Sequence, residues 1–137
     1  MELRRMVIPE TIYDEMVRQC HLNLPYEACG LLSGNEQTVR SLWILQNELK
    51  SDRRFFVSKM AVEETLLKVQ NKGERVLVIY HSHPTTAPIP SYSDRKNHPD
   101  DEIMMMIVSF KTHPPIVKGY QLQSNSYLER PIFIDPL

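Results

Sequence analysis

The feature that most constrains this fold is an apolar run, Val76 to Tyr80, that passes directly into His81, Ser82, His83 and Pro84. Five consecutive apolar or aromatic residues predict a buried strand, and a proline shortly after them predicts its end. Side chains two positions apart on a strand point the same way, so His81 and His83 would present both imidazoles to one side of a sheet. The sequence therefore predicts a sheet built around this strand, with a functional site at the end of the strand.

The spacing of the two histidines is typical of metal ligands, and Asp94 follows 11 residues after His83. Two nitrogens and one carboxylate leave a tetrahedral Zn²⁺ with one open position, as in catalytic sites; structural sites take four protein ligands. His98 is the rival ligand because it lies four residues after Asp94, although a surface position is the simpler interpretation. His21 and His113 are interpreted as ordinary loop histidines.

The residues Ser91-Tyr92-Ser93-Asp94 also have the form of a helix capping box. In that interpretation, Ser91 and Asp94 only satisfy free N–H groups at the start of a short helix. Ser91 can combine a cap with another role, but we expect that Asp94 cannot easily be both a cap and a ligand. With the two histidines upstream, we favour the ligand role for Asp94.

The motif His81-Ser82-His83-Pro84, with seven residues between His83 and Ser91 and then Ser91-x-x-Asp94, resembles the zinc motif of the JAMM (MPN+, Mov34/JAB) metallohydrolases. The segment PYEACGLLSG, which contains Glu27, resembles the family's upstream glutamate segment, and the likeness extends from about Pro9 to Gln123. It implies a Zn²⁺ cofactor held by His81, His83 and Asp94. It also implies that Glu27 is the catalytic base and acid, and that Ser91 stabilises the developing oxyanion.

The resemblance further implies hydrolysis of the bond after the C-terminal glycine of a ubiquitin-like protein. Only Arg95–Glu102 separate Asp94 from the next predicted strand, which is similar to the small prokaryotic branch of the family. The implied partner is therefore a ubiquitin-like or sulfur-carrier protein, for example one with a cysteine joined to its terminal glycine. We expect the carrier's tail to bind as an added strand at a sheet edge.

Two other functions stay open. The same fold without zinc ligands serves family relatives as a non-catalytic interaction scaffold, although here every ligand position is filled. Two histidines and one carboxylate also describe non-haem iron oxygenases, but those usually carry the carboxylate close to the first histidine.

The rest of the chain predicts an α+β (α/β) fold: one mixed β-sheet flanked by helices, in a single domain spanning residues 1–137. This JAB/MPN-like fold also resembles the cytidine-deaminase architecture. Helices are expected from Pro9 to about His21, with Ile12, Met16 and Cys20 buried, and after an N-cap at Ser58, with Val62, Leu66 and Val69 buried. The other predicted strands are Glu27–Ser33, Thr38–Leu45, Ile103–Phe110, Ile116–Leu122 and Tyr127–Ile134, with a hairpin turn at Gly34-Asn35.

Composition excludes some partners. The 16 basic and 17 acidic residues give a formal charge of −1, so nucleic acid is not expected as a partner. No apolar run approaches the roughly 18 residues that span a bilayer, and no membrane partner is expected. Two cysteines, seven methionines and no apolar signal core in Met1–Glu10 favour a cytoplasmic location. Cys29 and the run Met104–Met106 are interpreted as core, and the sequence does not decide between a monomer and a homodimer.

Overall fold

The computed structural model describes residues 5–137, so the first four residues of the predicted 1–137 domain and of the Met1–Glu10 segment lie outside it. Strands and helices are intermixed along the chain. In order they are β1 (Met6–Pro9), α1 (Glu10–Leu22), β2 (Cys29–Asn35), β3 (Thr38–Leu45), α2 (Lys59–Asn71), β4 (Arg75–His83), α3 (Tyr92–Asn97), β5 (Met104–Ser109), β6 (Ile116–Gln123), β7 (Ser126–Arg130) and β8 (Ile132–Asp135).

The strands form one sheet in the order β7-β6-β5-β4-β2-β3-β1-β8. The pairs β4–β5, β1–β3 and β1–β8 are parallel and the others are antiparallel. The mixed sheet with flanking helices confirms the predicted α+β class, and the strand that carries the histidines lies inside the sheet, between β2 and β5. Within residues 5–137, no helix combines the length and apolarity needed to cross a membrane.

Helix α1 packs against one face of the sheet through the predicted apolar positions. Met16 and Cys20 are fully buried and share a core with Val78 and Tyr80 of β4. The buried Tyr80 hydroxyl donates to Gln19 Oε1 of α1 at 2.7 Å, which satisfies both polar groups. A core of this kind fixes the orientation of β4, because alternate residues must face α1.

The other face of the sheet carries the second helix and an open cavity. Helix α2 begins after its predicted N-cap, Ser58, whose side chain accepts from the Ala61 N–H. Its buried residues are Thr65 and Val69, whereas Leu66 is 42% exposed, so the expected burial of Leu66 is wrong. Thr65 tolerates burial because its hydroxyl donates to the Ala61 carbonyl at 2.9 Å.

Two predicted strand boundaries are corrected by the sheet pairing. The expected strand Tyr127–Ile134 is two strands separated by Pro131: β7 pairs with β6 at one edge, and β8 pairs with β1 at the other. Proline has no N–H to donate to a neighbouring strand, so the hydrogen bonding of β7 ends before Pro131. The chain then continues as β8 at the opposite edge of the sheet. Strand β1, next to β8, was missed because the sequence placed Pro9 at the start of a helix; Pro9 ends the strand.

The hairpin between β2 and β3 turns later than predicted. Strand β2 continues through Gly34 and Asn35, and the turn falls at Glu36 and Gln37, with Glu36 at a positive φ of 54°. The pairing register shifts between Ser33 and Gly34, which leaves Arg40 of β3 as an extra residue without a partner in β2. Strand β2 itself begins at Cys29, so Glu27 lies just before the strand.

Candidate metal centre

Strand β4 carries both histidines into the interior of the protein. The strand continues to His83, three residues beyond the predicted end at Tyr80. Val78 and Tyr80 belong to the core under α1, while Ile79 and His81 line the cavity on the opposite face. The strand's alternation therefore places His81 and His83 on the same face of the sheet, as the sequence predicted.

Three side chains converge at this point. His81 Nε2 lies 3.1 Å from His83 Nε2 and 3.0 Å from Asp94 Oδ2, and His83 Nε2 lies 3.1 Å from the same oxygen. All three residues are buried. Ligand atoms bonded to a tetrahedral Zn²⁺ at about 2.0–2.1 Å stand about 3.3 Å apart, so this donor set fits zinc in chemistry and spacing. Within residues 5–137, it is the one group of three or more such side chains suited to a metal.

The loop after β4 orients the second histidine. His83 Nδ1 is 2.8 Å from the Ala87 carbonyl oxygen, and a donated Nδ1–H leaves the Nε2 lone pair for a cation. The neighbouring carbonyls are held as well: Ser109 Oγ of β5 donates to Thr86 O at 2.5 Å, and the Tyr120 hydroxyl of β6 donates to Pro88 O. Three adjacent strands thus anchor three consecutive carbonyls of this loop, which we call the 84–90 loop.

Asp94 lies in the first turn of α3 and caps it. Ser91 Oγ accepts from the Asp94 N–H at 3.0 Å, and Asp94 Oδ2 accepts from the Ser91 N–H at 2.9 Å. The same Oδ2 faces both histidines. One carboxylate oxygen therefore reaches the helix N–H and both imidazoles, so the cap does not keep Asp94 away from the histidines as we expected.

Glu27 reaches the site through the pairing of β2 with β4. Cys29 pairs with His81, and Ala28 is joined to Ser82 by hydrogen bonds in both directions, so Glu27 falls opposite His83. The backbone of Glu27 is fixed by its N–H to Ser51 O at 2.7 Å and by Asn47 Nδ2 to its carbonyl at 3.0 Å. Its side chain is only 3% exposed.

The Glu27 carboxyl group is buried in surroundings that raise its pKa. Within residues 5–137, its Oε1 atom is buried without a hydrogen-bond partner, as is Nδ1 of His81. Burial, and then the nearby Asp94 carboxylate, raise the pKa of Glu27 to about 8, against a smaller opposing effect of His83. A carboxyl group with a pKa near neutrality can both accept and release a proton.

The pKa values of Asp94 and His81 are lowered, whereas that of His83 is raised. Burial alone would raise the pKa of Asp94, but hydrogen bonds from His81 and His83 outweigh burial and hold the pKa well below its usual range. Burial dominates at His81 and lowers its pKa. At His83 burial is outweighed by the bonds to Asp94 and Ala87, so the pKa is raised. Asp94 is therefore the negatively charged member of the three. A metal cation must compete with protons for its carboxylate oxygen and for the histidine nitrogens.

The other expected residues take varied positions. Ser91 is exposed, and its Oγ accepts the cap bond while its hydroxyl proton remains available for donation. His98 lines the cavity, but its Nε2 bonds to the Ile103 carbonyl at 2.7 Å, and it does not join the metal group. Cys29 is buried, and burial raises the pKa of its thiol to about 12, as expected for a core residue. Met104–Met106 are buried in β5, as predicted.

Sequence reasoning missed the residues that support the site. Asn47 accepts at Oδ1 from the Leu49 and Phe56 N–H groups and donates from Nδ2 to the Glu27 and Arg54 carbonyls, so it organises the segment 47–56. Phe55 of this segment stacks on His81, with ring centroids 5.1 Å apart. An asparagine in a polar loop carries no sequence signal of this role, since its partners are set by the tertiary fold.

Comparison with known proteins agrees with this fold. Residues 9–120 match the family described as prokaryotic homologs of the JAB domain. The chain therefore belongs to this prokaryotic JAB/MPN family.

Two curated relatives illustrate the similarity. A CysO-cysteine peptidase of Mycobacterium tuberculosis is 25% identical over 130 residues, which are 93% of this chain and 89% of the relative. A desampylase of Pyrococcus furiosus is 29% identical over 85 residues, which are 62% of this chain and 61% of the relative. The chain thus spans about three fifths of that desampylase's length.

Solved structures share the fold. The solution structure of protein DSY2949 from Desulfitobacterium hafniense superposes with a TM-score of 0.87 at 24% identity, covering 96% of this chain and 93% of that one. A structure described as a JAMM metalloprotease-like zinc site in the proteasome and signalosome gives a TM-score of 0.56 at 17% identity, covering 94% and 98%.

Proposed function

We propose that this chain is a zinc-dependent peptidase that hydrolyses the bond after the C-terminal glycine of a ubiquitin-like or sulfur-carrier protein. The observation that carries the proposal is the convergence of His81, His83 and Asp94 beside the buried carboxylate of Glu27. Two relatives whose names describe a peptidase and a desampylase support the class of substrate.

His81 Nε2, His83 Nε2 and Asp94 Oδ2 would hold the zinc ion. When bound, zinc polarises a carbonyl and brings the pKa of water from about 15.7 to about 7, so that water becomes a nucleophile at neutral pH. His83 is kept in the required tautomer by Ala87 O, and Phe55 shields one face of the His81 ring.

Glu27 would take a proton from the attacking water and deliver it to the leaving nitrogen or sulfur. Its Oε1 atom has no partner within residues 5–137, so the carboxylate is free to bind water. Ser91 would donate its hydroxyl proton to the oxyanion, and removal of such a donor commonly costs about a hundred- to thousandfold in rate.

The expected binding mode of the carrier's tail needs revision. Strand β4 lies between β2 and β5, and the nearer edge of the sheet, β7, is three strands away. At about 4.8 Å per strand this is roughly 14 Å, so a tail added to an edge strand would not reach the histidines. We propose instead that the tail lies extended in the opening next to α3.

The test is incubation of the zinc-loaded protein with carrier adducts, including a carrier–cysteine adduct, followed by mass spectrometry. A mass loss at the carrier's C-terminus supports the proposal. Absence of any hydrolysis would leave the interaction scaffold as the better account, whereas iron in the purified protein with oxygen-dependent turnover would indicate an oxygenase.

The short segment Arg95–Glu102 bears on substrate size. It forms the rest of α3 and a turn, with little structure for holding a second ubiquitin. We therefore expect small carrier adducts to be cleaved much faster than ubiquitin dimers. Equal turnover of the two substrates in parallel assays would contradict this expectation.

A further inference from the structure

An apolar cavity of about 470 Å³ opens beside the metal centre. Its floor is formed by side chains of neighbouring strands, Leu31, Ile79 and Met105, and its walls by α2, α3 and the segment 47–56. His81 and Asp94 line the same cavity, so it is continuous with the candidate site. A volume of this size lies within the range of small-ligand pockets, about 300–1,000 Å³.

The chemistry of the lining limits what the cavity binds. Asp94 is the one acidic side chain of the lining, and it is already engaged with two histidines. A basic side chain would find no free carboxylate there. A cysteine side chain, with two heavy atoms, would leave most of the volume empty, and apolar walls facing a void lose their dispersion contacts. A large apolar or aromatic side chain suits the volume and the walls.

One positively charged side chain, that of Arg54, lies at the cavity. Arg54 lines it and is exposed, and no carboxylate pairs with it within the part of the chain that the structure describes. Its backbone is held by Asn47, and the next residue, Phe55, stacks on His81. A free guanidinium is suited to a carboxylate.

We propose that this cavity binds the leaving group of the reaction, and that this group is a single large apolar α-amino acid with a free carboxylate. The inference rests on the proposed function and names its substrate more closely. The side chain fills the cavity and the α-carboxylate pairs with Arg54. In the reaction, the carbonyl–nitrogen bond after the carrier's terminal glycine breaks, water oxygen bonds to the carbonyl carbon, and the products are a carrier carboxylate and the ammonium form of the amino acid.

The binding part of this proposal is tested without catalysis, by NMR titration of the metal-free protein. Because a carboxylate could itself ligate zinc, the absence of metal isolates the cavity. The probes are N-acetyl-L-phenylalanine, its carboxamide, and N-acetylglycine. We expect the first to bind best, the carboxamide about two- to fivefold more weakly, as for an exposed ion pair, and N-acetylglycine not measurably.

Matched variants locate the two contacts. Arg54→Gln should abolish the preference for the carboxylate over the carboxamide, while Arg53→Gln, at the neighbouring exposed arginine that does not line the cavity, should keep it. Val62→Phe, which fills the cavity from α2, should weaken binding of N-acetyl-L-phenylalanine; Leu67→Phe, on the same helix and 60% exposed, should not. Thermal unfolding of each variant verifies that it is folded.

A final comparison separates the cavity from the proposed activity. The zinc-loaded protein is given peptides ending in Gly-Gly-Phe, Gly-Gly-Cys or Gly-Gly-Ala. Faster release of phenylalanine than of cysteine or alanine supports the inference. Selective binding without any hydrolysis would overturn the proposed function while retaining the cavity, whereas equal hydrolysis of all three, or equal binding of the phenylalanine and glycine probes, would overturn the inference.

Discussion

At the scale of single residues, the burial of Glu27 is the feature with the most measurable consequences. The side chain is nearly inaccessible and its pKa is raised to about 8, above the ordinary value of 4.5. A group whose folded-state pKa is raised favours the fold in its protonated form. For a carboxyl group this means that stability is greatest below pH 4.5 and is lost as the pH rises toward 8.

Replacement of Glu27 by glutamine should therefore change the pH dependence of stability in the metal-free protein. Glutamine carries no charge to bury, so the variant should gain up to about 5 kcal/mol relative to wild type at pH 9 and little at pH 4. Urea unfolding in the presence of a chelator measures the difference. Glu63→Gln, at an exposed position of α2, is the control. Parallel stability profiles for wild type and Glu27→Gln would show that burial of the charge is not costly.

Asp94 caps α3 and is the proposed third ligand, and the two roles can be separated by mutation. Asp94→Asn keeps an oxygen for the Ser91 N–H but removes the negative charge that a cation requires. Its metal affinity should fall by more than the about 10–100-fold typical of a lost outer partner, with α3 intact. Ser91→Ala should cost about 1 kcal/mol of stability and retain the metal. Competition with a coloured chelator measures both, and full zinc affinity in Asp94→Asn would exclude Asp94 as a ligand.

At the scale of secondary-structure elements, the site depends on two alignments that the sequence only partly encodes. The sequence predicted that His81 and His83 lie on the same face of β4, because side chains two positions apart on a strand point the same way. The register of β2 against β4, which brings Glu27 opposite His83, joins Ala28 to Ser82, 54 positions apart in the sequence. Spacing alone contains no such information, so Glu27 was found only through the resemblance to a family.

The 84–90 loop gives a second test at this scale. Tyr120 of β6 donates its hydroxyl proton to Pro88 O, next to the carbonyl that orients His83. Tyr120→Phe should loosen the loop and reduce zinc affinity about 10–100-fold. Tyr127→Phe is the matched control, because its ring packs edge-on against Tyr120 from β7. Equal zinc affinities for the two variants would show that the loop does not depend on the hydroxyl.

At the scale of the whole molecule, the fold class followed from the sequence but the strand order did not. Apolar runs and turn residues located most strands, since those signals are local. The chain's last strands take opposite edges of the sheet around Pro131, and the short β1 is recognisable only from its partners β3 and β8. Strands as short as the four-residue β1 and β8 contain too few residues for a periodic pattern, so they are identified only by their pairing in the folded sheet.

Metal binding should be visible as a change in global stability. A ligand at 1,000 times its dissociation constant stabilises the fold by about 4 kcal/mol, which corresponds to roughly 10–15 °C in Tm for a chain of this length. Thermal unfolding with zinc and with excess chelator measures the shift. The shift should largely disappear in Asp94→Asn. A Tm that is unchanged by zinc in the wild-type protein would argue against a zinc site in the buried group.

In the proposed mechanism, zinc held by His81, His83 and Asp94 acts together with Glu27 as the base. The most direct test of this mechanism is the hydrolysis rate of a carrier adduct and the bound zinc, both measured on one preparation of Glu27→Gln. We predict a rate loss of about a hundred- to ten-thousandfold with the zinc content unchanged, because the three ligands remain and only the proton acceptor is removed. Near-normal hydrolysis, or loss of zinc along with activity, would contradict the assignment of Glu27 as the base.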